Sequence, residues 1–192
     1  MLNKKILLGS GSPRRSELMS ELGLEFEVIN SISVEEKYPS TLDTKDVAEY
    51  LANLKADAYK HFVTAESVLV TADTVVVIDN QILGKPKDKV AAKEMLRMLS
   101  GRTHKVITGV AIVSDSERTS FSVKTKVTMR SLTDEMIEYY VEKYCPTDKA
   151  GAYGIQEWIG LVGIDYIEGS YQNVMGLPTQ RLYAELRNFL NK

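Results

Sequence analysis

Residues Gly9-Ser10-Gly11-Ser12-Pro13-Arg14-Arg15 bring together outward-pointing backbone N–H groups and adjacent cations, the two features an anion site needs. The apolar run Ile6-Leu7-Leu8 ahead of them reads as a short buried strand. Ser12-Pro13 reads as a helix start, since Ser caps N-termini and Pro suits the first helical position. A strand that turns through small residues into a helix leaves unpaired N–H groups at the positive end of the helix dipole, which favours phosphate. Arg14 and Arg15 add guanidinium groups that bind phosphate in a forked geometry. The plainer alternative is a good helix start with two solvated arginines. No Walker A loop, with its Gly-Lys-Ser/Thr ending, occurs in the chain, which argues against a P-loop kinase or GTPase.

Asp73, in Ala72-Asp73-Thr74, is wedged between the apolar β-branched runs Val68 to Val70 and Val75 to Ile78. A carboxylate at the end of a buried strand is costly unless it is paired, hydrogen-bonded or bound to metal. Glu35 and Glu36, in an acidic loop, could join it around a divalent cation, because Mg²⁺ takes few carboxylates plus substrate phosphates. Left to themselves they are surface charge. Lys55 lies at the edge of a helical apolar stripe, and Lys85 sits in Gly84-Lys85-Pro86. With the two arginines they supply the cations a triphosphate requires. Two glycine-rich stretches, Asp148 to Gln156 and Gly169 to Pro178, allow close backbone approach to a ligand or to another segment.

These residues need a scaffold, and 192 residues at 44% apolar and 26% charged suffice for a globular protein with a real core. A net charge of −2 argues against general nucleic-acid binding, which needs a basic surface. Cys145 is the only cysteine, so no internal disulfide forms, and His61 and His104 are too few for a multi-histidine zinc site. No run approaches the roughly 18 apolar residues of a membrane span. Ile6 to Leu8 is also too short for a signal-peptide core, so a cytoplasmic location is expected.

The spacing predicts helices from Pro13 to Gly23, about Thr44 to Phe62, about Asp88 to Ser100, Thr133 to Tyr144, and from Pro178 onward. Strands are expected at Ile6 to Leu8, Phe26 to Val28, Val68 to Val70, Val75 to Ile78, Gln81 to Leu83, Lys105 to Val113, Thr119 to Met129 and Leu161 to Ile167. Asp79-Asn80 reads as a hairpin turn. Strands and helices mix without strict alternation, which points to an α/β protein with a mixed sheet. One domain spanning 1–192 is the economical reading.

Taken together, these segments resemble the Maf family of nucleotide pyrophosphatases nearly end to end. The resemblance rests on Ser10-Gly11-Ser12-Pro13-Arg14-Arg15, Ala72-Asp73-Thr74-Val75-Val76, Leu83-Gly84-Lys85-Pro86, Leu99 to His104, Thr108-Gly109-Val110, Asp148 to Gln156 and Gly169 to Pro178. It implies an ITPase-like α/β fold: a long mixed sheet flanked by helices, in two lobes with an active-site cleft between them. It also implies hydrolysis of a nucleoside triphosphate between the α and β phosphates with a divalent cation, Mg²⁺ or Mn²⁺. By the same resemblance Asp73 is the proton acceptor, Ser10, Arg14, Arg15, Lys55 and Lys85 are substrate ligands, and Glu35 joins Asp73 at the metal.

Arg14, Thr74 and Gln156 match the subgroup acting on dTTP and UTP, whereas a sister subgroup acting on 7-methyl-GTP carries an acid in place of Gln156. A methylated guanine is cationic and suits a carboxylate, while a neutral amide can both donate to and accept from a pyrimidine imide edge. Two departures from the pattern stand out. Gly9 replaces a frequent Ala, an exchange expected to be harmless, and Glu157 replaces a usual Gly behind the base pocket. The sequence leaves open a non-catalytic nucleotide-binding regulator of septum formation and a purine (ITP-type) house-cleaning enzyme. It is compatible with a homodimer and does not require one.

Overall fold

A computed structural model describes residues 4–190. It has seven strands and seven α-helices among the described residues. In chain order these are β1 (Lys5–Gly9), α1 (Pro13–Glu21), β2 (Phe26–Val28), α2 (Val47–Tyr59), β3 (Ser67–Ile78), β4 (Gln81–Leu83) and α3 (Lys89–Leu99). There follow β5 (Thr103–Val113), β6 (Arg118–Met129), α4 (Asp134–Tyr144), α5 (Trp158–Gly163), β7 (Ile164–Glu168), α6 (Tyr171–Met175) and α7 (Thr179–Leu190). The strands hydrogen-bond in the order β2-β1-β3-β5-β6-β7, with β4 on β3. β1 runs parallel to β2 and β3, while β3–β4 and β6–β7 are antiparallel, so the sheet is mixed as expected. No helix among the described residues is long and apolar enough to cross a membrane.

The chain divides into two compact units. The first holds residues up to Asp73, Thr108–Val123 and Gly176 onward; the second holds Thr74–Ile107 and Lys124–Met175. Each has its own core. In the first, Leu7, Leu69, Ala111 and Val113 from the strands meet Ala52, Ala56 and Tyr59 of α2. The small alanines let α2 lie close to the sheet: a Cβ on Gly109 of β5 would overlap the Ala48 carbonyl and the Glu49 nitrogen. In the second unit Val76, Val106 and Val127 pack with Leu96 and Leu99 of α3 and Ile137, Tyr140 and Val141 of α4. Leu96 and Leu99 are fully buried, each contributing roughly 1.5–3 kcal/mol.

Some element ends follow from local chemistry. Asp88 caps α3 by accepting from the Ala91 N–H at 2.8 Å, and Thr133 caps α4 by accepting from the Met136 N–H at 3.2 Å. Asp79 and Asn80 have φ of 48° and 61°, the left-handed pair a two-residue hairpin requires.

Three expectations need correction. The runs on either side of Asp73 form one twelve-residue strand, so Asp73 lies within β3 rather than at a strand end. The residues from Leu161 divide between α5 and β7. Leu161 is 81% exposed, so the short apolar run is no buried strand, and a brief run carries too little periodicity to separate the two. The five-residue α6 in the second glycine-rich stretch has no counterpart in the expected elements.

A carboxylate–cation cluster and a glutamine-bearing loop

The first unit builds a cluster by register. Gly9 pairs with Thr71, so the chain leaves β1 two strand positions short of Asp73. The Thr71 hydroxyl donates to the Ala52 carbonyl of α2 at 2.7 Å. Asp73 is two residues along the same strand face, and Lys55 is three residues along α2. Two strand residues advance about 6.6 Å and three helical residues about 4.5 Å, so the two side chains meet. The Lys55 ammonium donates to Asp73 Oδ1 and lies 2.8 Å from Glu36 Oε1. It therefore stands between two carboxylates.

Asp73 is 6% exposed. Burial raises its pKa above the usual carboxylate value; Lys55 and Arg15 pull it back, and Glu36 adds to the rise. Arg15 reaches from the first turn of α1, its Nη1 donating to Ser10 Oγ at 3.3 Å and its Nε to the Gly176 carbonyl at 2.8 Å. Burial lowers its pKa, with Asp73 opposing that shift. Ser10 Oγ also accepts from the Ser12 N–H at 3.2 Å, so one hydroxyl braces both the turn and the arginine. The arrangement holds a buried carboxylate, two cations and a helix start within one unit.

Ser10, Arg15, Lys55 and Asp73 thus come together, and Arg14 is near enough to act on the charge of Arg15. Glu35 does not join them. It pairs with Lys37 at 2.6 Å with its side chain 73% exposed, while Glu36, 40% exposed, reaches Lys55. A loop without periodicity gives no sign of which neighbour reaches Lys55. At Gly9 a Cβ would lie 2.8 Å from Thr71 Cγ2 and 3.2 Å from the Tyr59 ring, so glycine fits this position without strain.

No group of three or more His, Cys, Asp or Glu suited to a metal ion occurs among the described residues. The donor set is Asp73 and Glu36, two hard oxygen ligands now sharing one ammonium. That set fits a cation that takes its remaining ligands from phosphate and water, as Mg²⁺ does.

Thr74, Lys85 and Gln156 belong to the second unit. Lys85 is exposed, on a loop held where the Gly151 N–H donates to the Gly84 carbonyl at 3.1 Å. Gly151 has φ of 68°, and a Cβ there would press on Val76 at 2.9 Å, so the tight loop needs glycine. Gln156 Oε1 is buried with no hydrogen-bond partner. A buried acceptor left unpaired costs about 1–3 kcal/mol, a penalty that a ligand N–H would remove. Around Gln156, Glu157 accepts from the Tyr140 hydroxyl and pairs with Lys149 at 3.1 Å, and the Tyr140 oxygen accepts from the Gly154 N–H at 3.0 Å.

A mixed sheet carrying a buried carboxylate among cations, beside a Gly/Ser helix start, places the chain in a class of α/β proteins suited to polyanionic ligands. Within that class, the chain belongs to the Maf-like protein family, whose profile matches residues 5–189. It is 54% identical over 187 residues to a dTTP/UTP pyrophosphatase of Porphyromonas gingivalis (strain ATCC BAA-308 / W83), covering 96% of this chain and 94% of that protein. A dTTP/UTP pyrophosphatase of Flavobacterium psychrophilum is 49% identical over 186 residues, covering 97% and 95%. A solved nucleoside-triphosphatase, a dITP/XTP pyrophosphatase from Mycobacterium abscessus, aligns with a TM-score of 0.45 at 15% identity, covering 95% of this chain and 94% of that one.

Proposed function

We propose that this chain hydrolyses dTTP and UTP to the nucleoside monophosphate and pyrophosphate, with water attacking the α-phosphorus and Asp73 accepting its proton. The observation that carries the reading is Asp73 itself: a mid-strand carboxylate, 6% exposed, whose burial raises its proton affinity while Lys55 and Arg15 keep it in reach of ionisation. A base works best when its pKa lies near the working pH. The names of relatives about half identical over nearly the whole chain support the same reaction.

In this mechanism the oxygen of water bonds to the α-phosphorus as the bond to the bridging oxygen breaks, and pyrophosphate leaves. Charge grows on that leaving group, so fixed cations lower the barrier. Ser10, the N–H groups at the start of α1, Arg14, Arg15, Lys55 and Lys85 bind the phosphates and hold them in line with the water. Asp73 and Glu36 would hold a divalent cation, Mg²⁺ or Mn²⁺, which when bound counters phosphate charge and acidifies water. Glu36 takes the part that the resemblance gives to Glu35. Lys55 is then drawn from the carboxylates toward phosphate, so the internal ion pair keeps Asp73 compensated until substrate arrives. Arg14, Thr74 and Gln156 select the base, the Gln156 amide reading the imide edge of uracil or thymine.

Pyrophosphate release from a panel of nucleotides with Mg²⁺ or Mn²⁺, with products identified, tests this. dTTP and UTP should be turned over much faster than 7-methyl-GTP or ITP. Comparable rates for 7-methyl-GTP would overturn the base selectivity, and dTTP binding without pyrophosphate would overturn the enzyme.

A further inference from the structure

Glu157, directly after Gln156, is wired on both sides. Its side chain, 19% exposed, accepts from the Tyr140 hydroxyl through Oε2 and pairs through Oε1 with Lys149, whose side chain is 9% exposed. Lys149 also contacts Asp148 at 2.7 Å. Tyr140 is fully buried on α4, and its oxygen accepts the Gly154 N–H at 3.0 Å. The Glu157 N–H in turn donates to the Gly154 carbonyl at 3.0 Å. Residues 149 to 157 are thereby closed into a loop with Glu157 as its clasp and Tyr140 as its anchor. Gln156 lies directly before that clasp. The fit is tight: a Cβ on Gly154 would approach the Glu157 carboxylate at 2.9 Å and Lys149 Cε at 3.1 Å.

An amide selects between bases only while its orientation is fixed. Uracil and thymine present an N3–H donor between two carbonyls, whereas cytosine presents an N3 acceptor beside an amino donor. A glutamine held with Oε1 facing the base accepts from the first and is mismatched to the second. If its backbone is loosened, the amide can turn and present its NH₂ group, which suits cytosine. The Oε1 of Gln156 is buried without a hydrogen-bond partner, an acceptor that an imide N3–H would satisfy. We propose that Glu157, through Tyr140 and Lys149, is a positioning residue that locks the Gln156 loop and so sets the preference for imide bases over cytosine. This rests on Gln156 reading the base, as proposed above.

The test compares kcat and KM for UTP, dTTP and CTP in wild type, Glu157→Gln, Tyr140→Phe and Gln156→Ala, with a thermal melt of each. The two clasp variants should raise KM for UTP and dTTP about tenfold, leave kcat within about twofold, and narrow the UTP/CTP ratio of kcat/KM about tenfold, matching the loss of a positioned polar contact. Either variant alone carries the test if the other does not fold. A purely structural role would lower all three nucleotides together with the ratio intact, and that result overturns the proposal. So does an unchanged ratio in the clasp variants when Gln156→Ala changes it. An unchanged ratio in Gln156→Ala would instead show that Gln156 does not read the base, removing the ground on which the proposal stands.

Discussion

Around Asp73 in the first unit, the side chains form a cluster of charges that the proposed mechanism redistributes on ligand binding. Lys55 is shared between Glu36 and Asp73, and Arg15 divides its donors between Ser10 and Gly176. Around Gln156 in the second unit, the polar groups are nearly closed on themselves. Lys149, Glu157, Tyr140 and Gly154 satisfy one another, and the Gln156 carbonyl oxygen is left over. In the proposed mechanism, two kinds of work call for the two arrangements. Proton transfer and charge neutralisation need groups that change partners during a cycle, whereas discrimination needs groups that do not move. An exchangeable cluster has low intrinsic rigidity and must borrow it from α2 and β3, while the closed loop carries its own.

Loss of the Asp73 carboxylate should separate the two clusters most strongly. Asp73→Asn keeps the size and hydrogen-bonding reach of the side chain but cannot take a proton. Turnover of dTTP should fall about a thousandfold or more, while dTTP binding measured by calorimetry stays within about tenfold. Equal loss of binding and turnover would make Asp73 a scaffold residue.

A second prediction concerns the rigidity that the cluster borrows. Gly109→Ala places a methyl group against the Ala48 carbonyl and the Glu49 nitrogen, backbone atoms that cannot swing aside. Destabilisation of about 3 kcal/mol, or roughly 10 °C in Tm, should follow. Gly23→Ala is the control: φ is 68° but no atom lies within 4 Å, so the cost should be about 1 kcal/mol.

The second unit has its own titratable element. His104 is buried, its Nε2 within 2.7 Å of the Tyr153 hydroxyl and its Nδ1 without a hydrogen-bond partner, and burial lowers its pKa to about 4. Unfolded, the same imidazole takes a proton near pH 6.5. Between those values the unfolded chain holds more protons, so stability rises with pH across that window. The contribution is complete above about pH 6.5 and is lost as pH falls toward 4, amounting to about 3 kcal/mol. Urea unfolding at pH 7, 6, 5 and 4.5 should show this slope in wild type, with less of it in His104→Gln. An equal slope in both would assign the acid sensitivity elsewhere.

The two units also differed in how far the sequence revealed them. The Gly/Ser turn, the arginine pair and Asp73 are chemically conspicuous and local, so spacing pointed to them, and the mixed sheet followed from apolar runs and turn residues. The meeting of Lys55 with Asp73 depends on the register of α2 on β3, set by Thr71 and Ala52, which no local pattern encodes. The clasp was less legible still, because Tyr140 and Glu157 are seventeen positions apart and one looks like a core aromatic, the other like a surface acid. Pairing information of that kind lies in tertiary packing, not in composition or periodicity.

The loop carboxylates give the smallest contrast, because Glu35 and Glu36 are adjacent and identical in chemistry yet pair with different lysines. Glu36 reaches Lys55 beside Asp73, whereas Glu35 is 73% exposed against Lys37, a surface pair of little energetic weight. Glu36→Gln removes one of two carboxylates available to a cation, so Mn²⁺ affinity in the presence of a non-hydrolysable dTTP analogue should fall about tenfold, with a similar loss of turnover. Glu35→Gln should leave both within about twofold. The reverse outcome would mean that the loop turns over when substrate binds, and the exchangeable character assigned to the cluster would then extend from its ion pairs to its backbone.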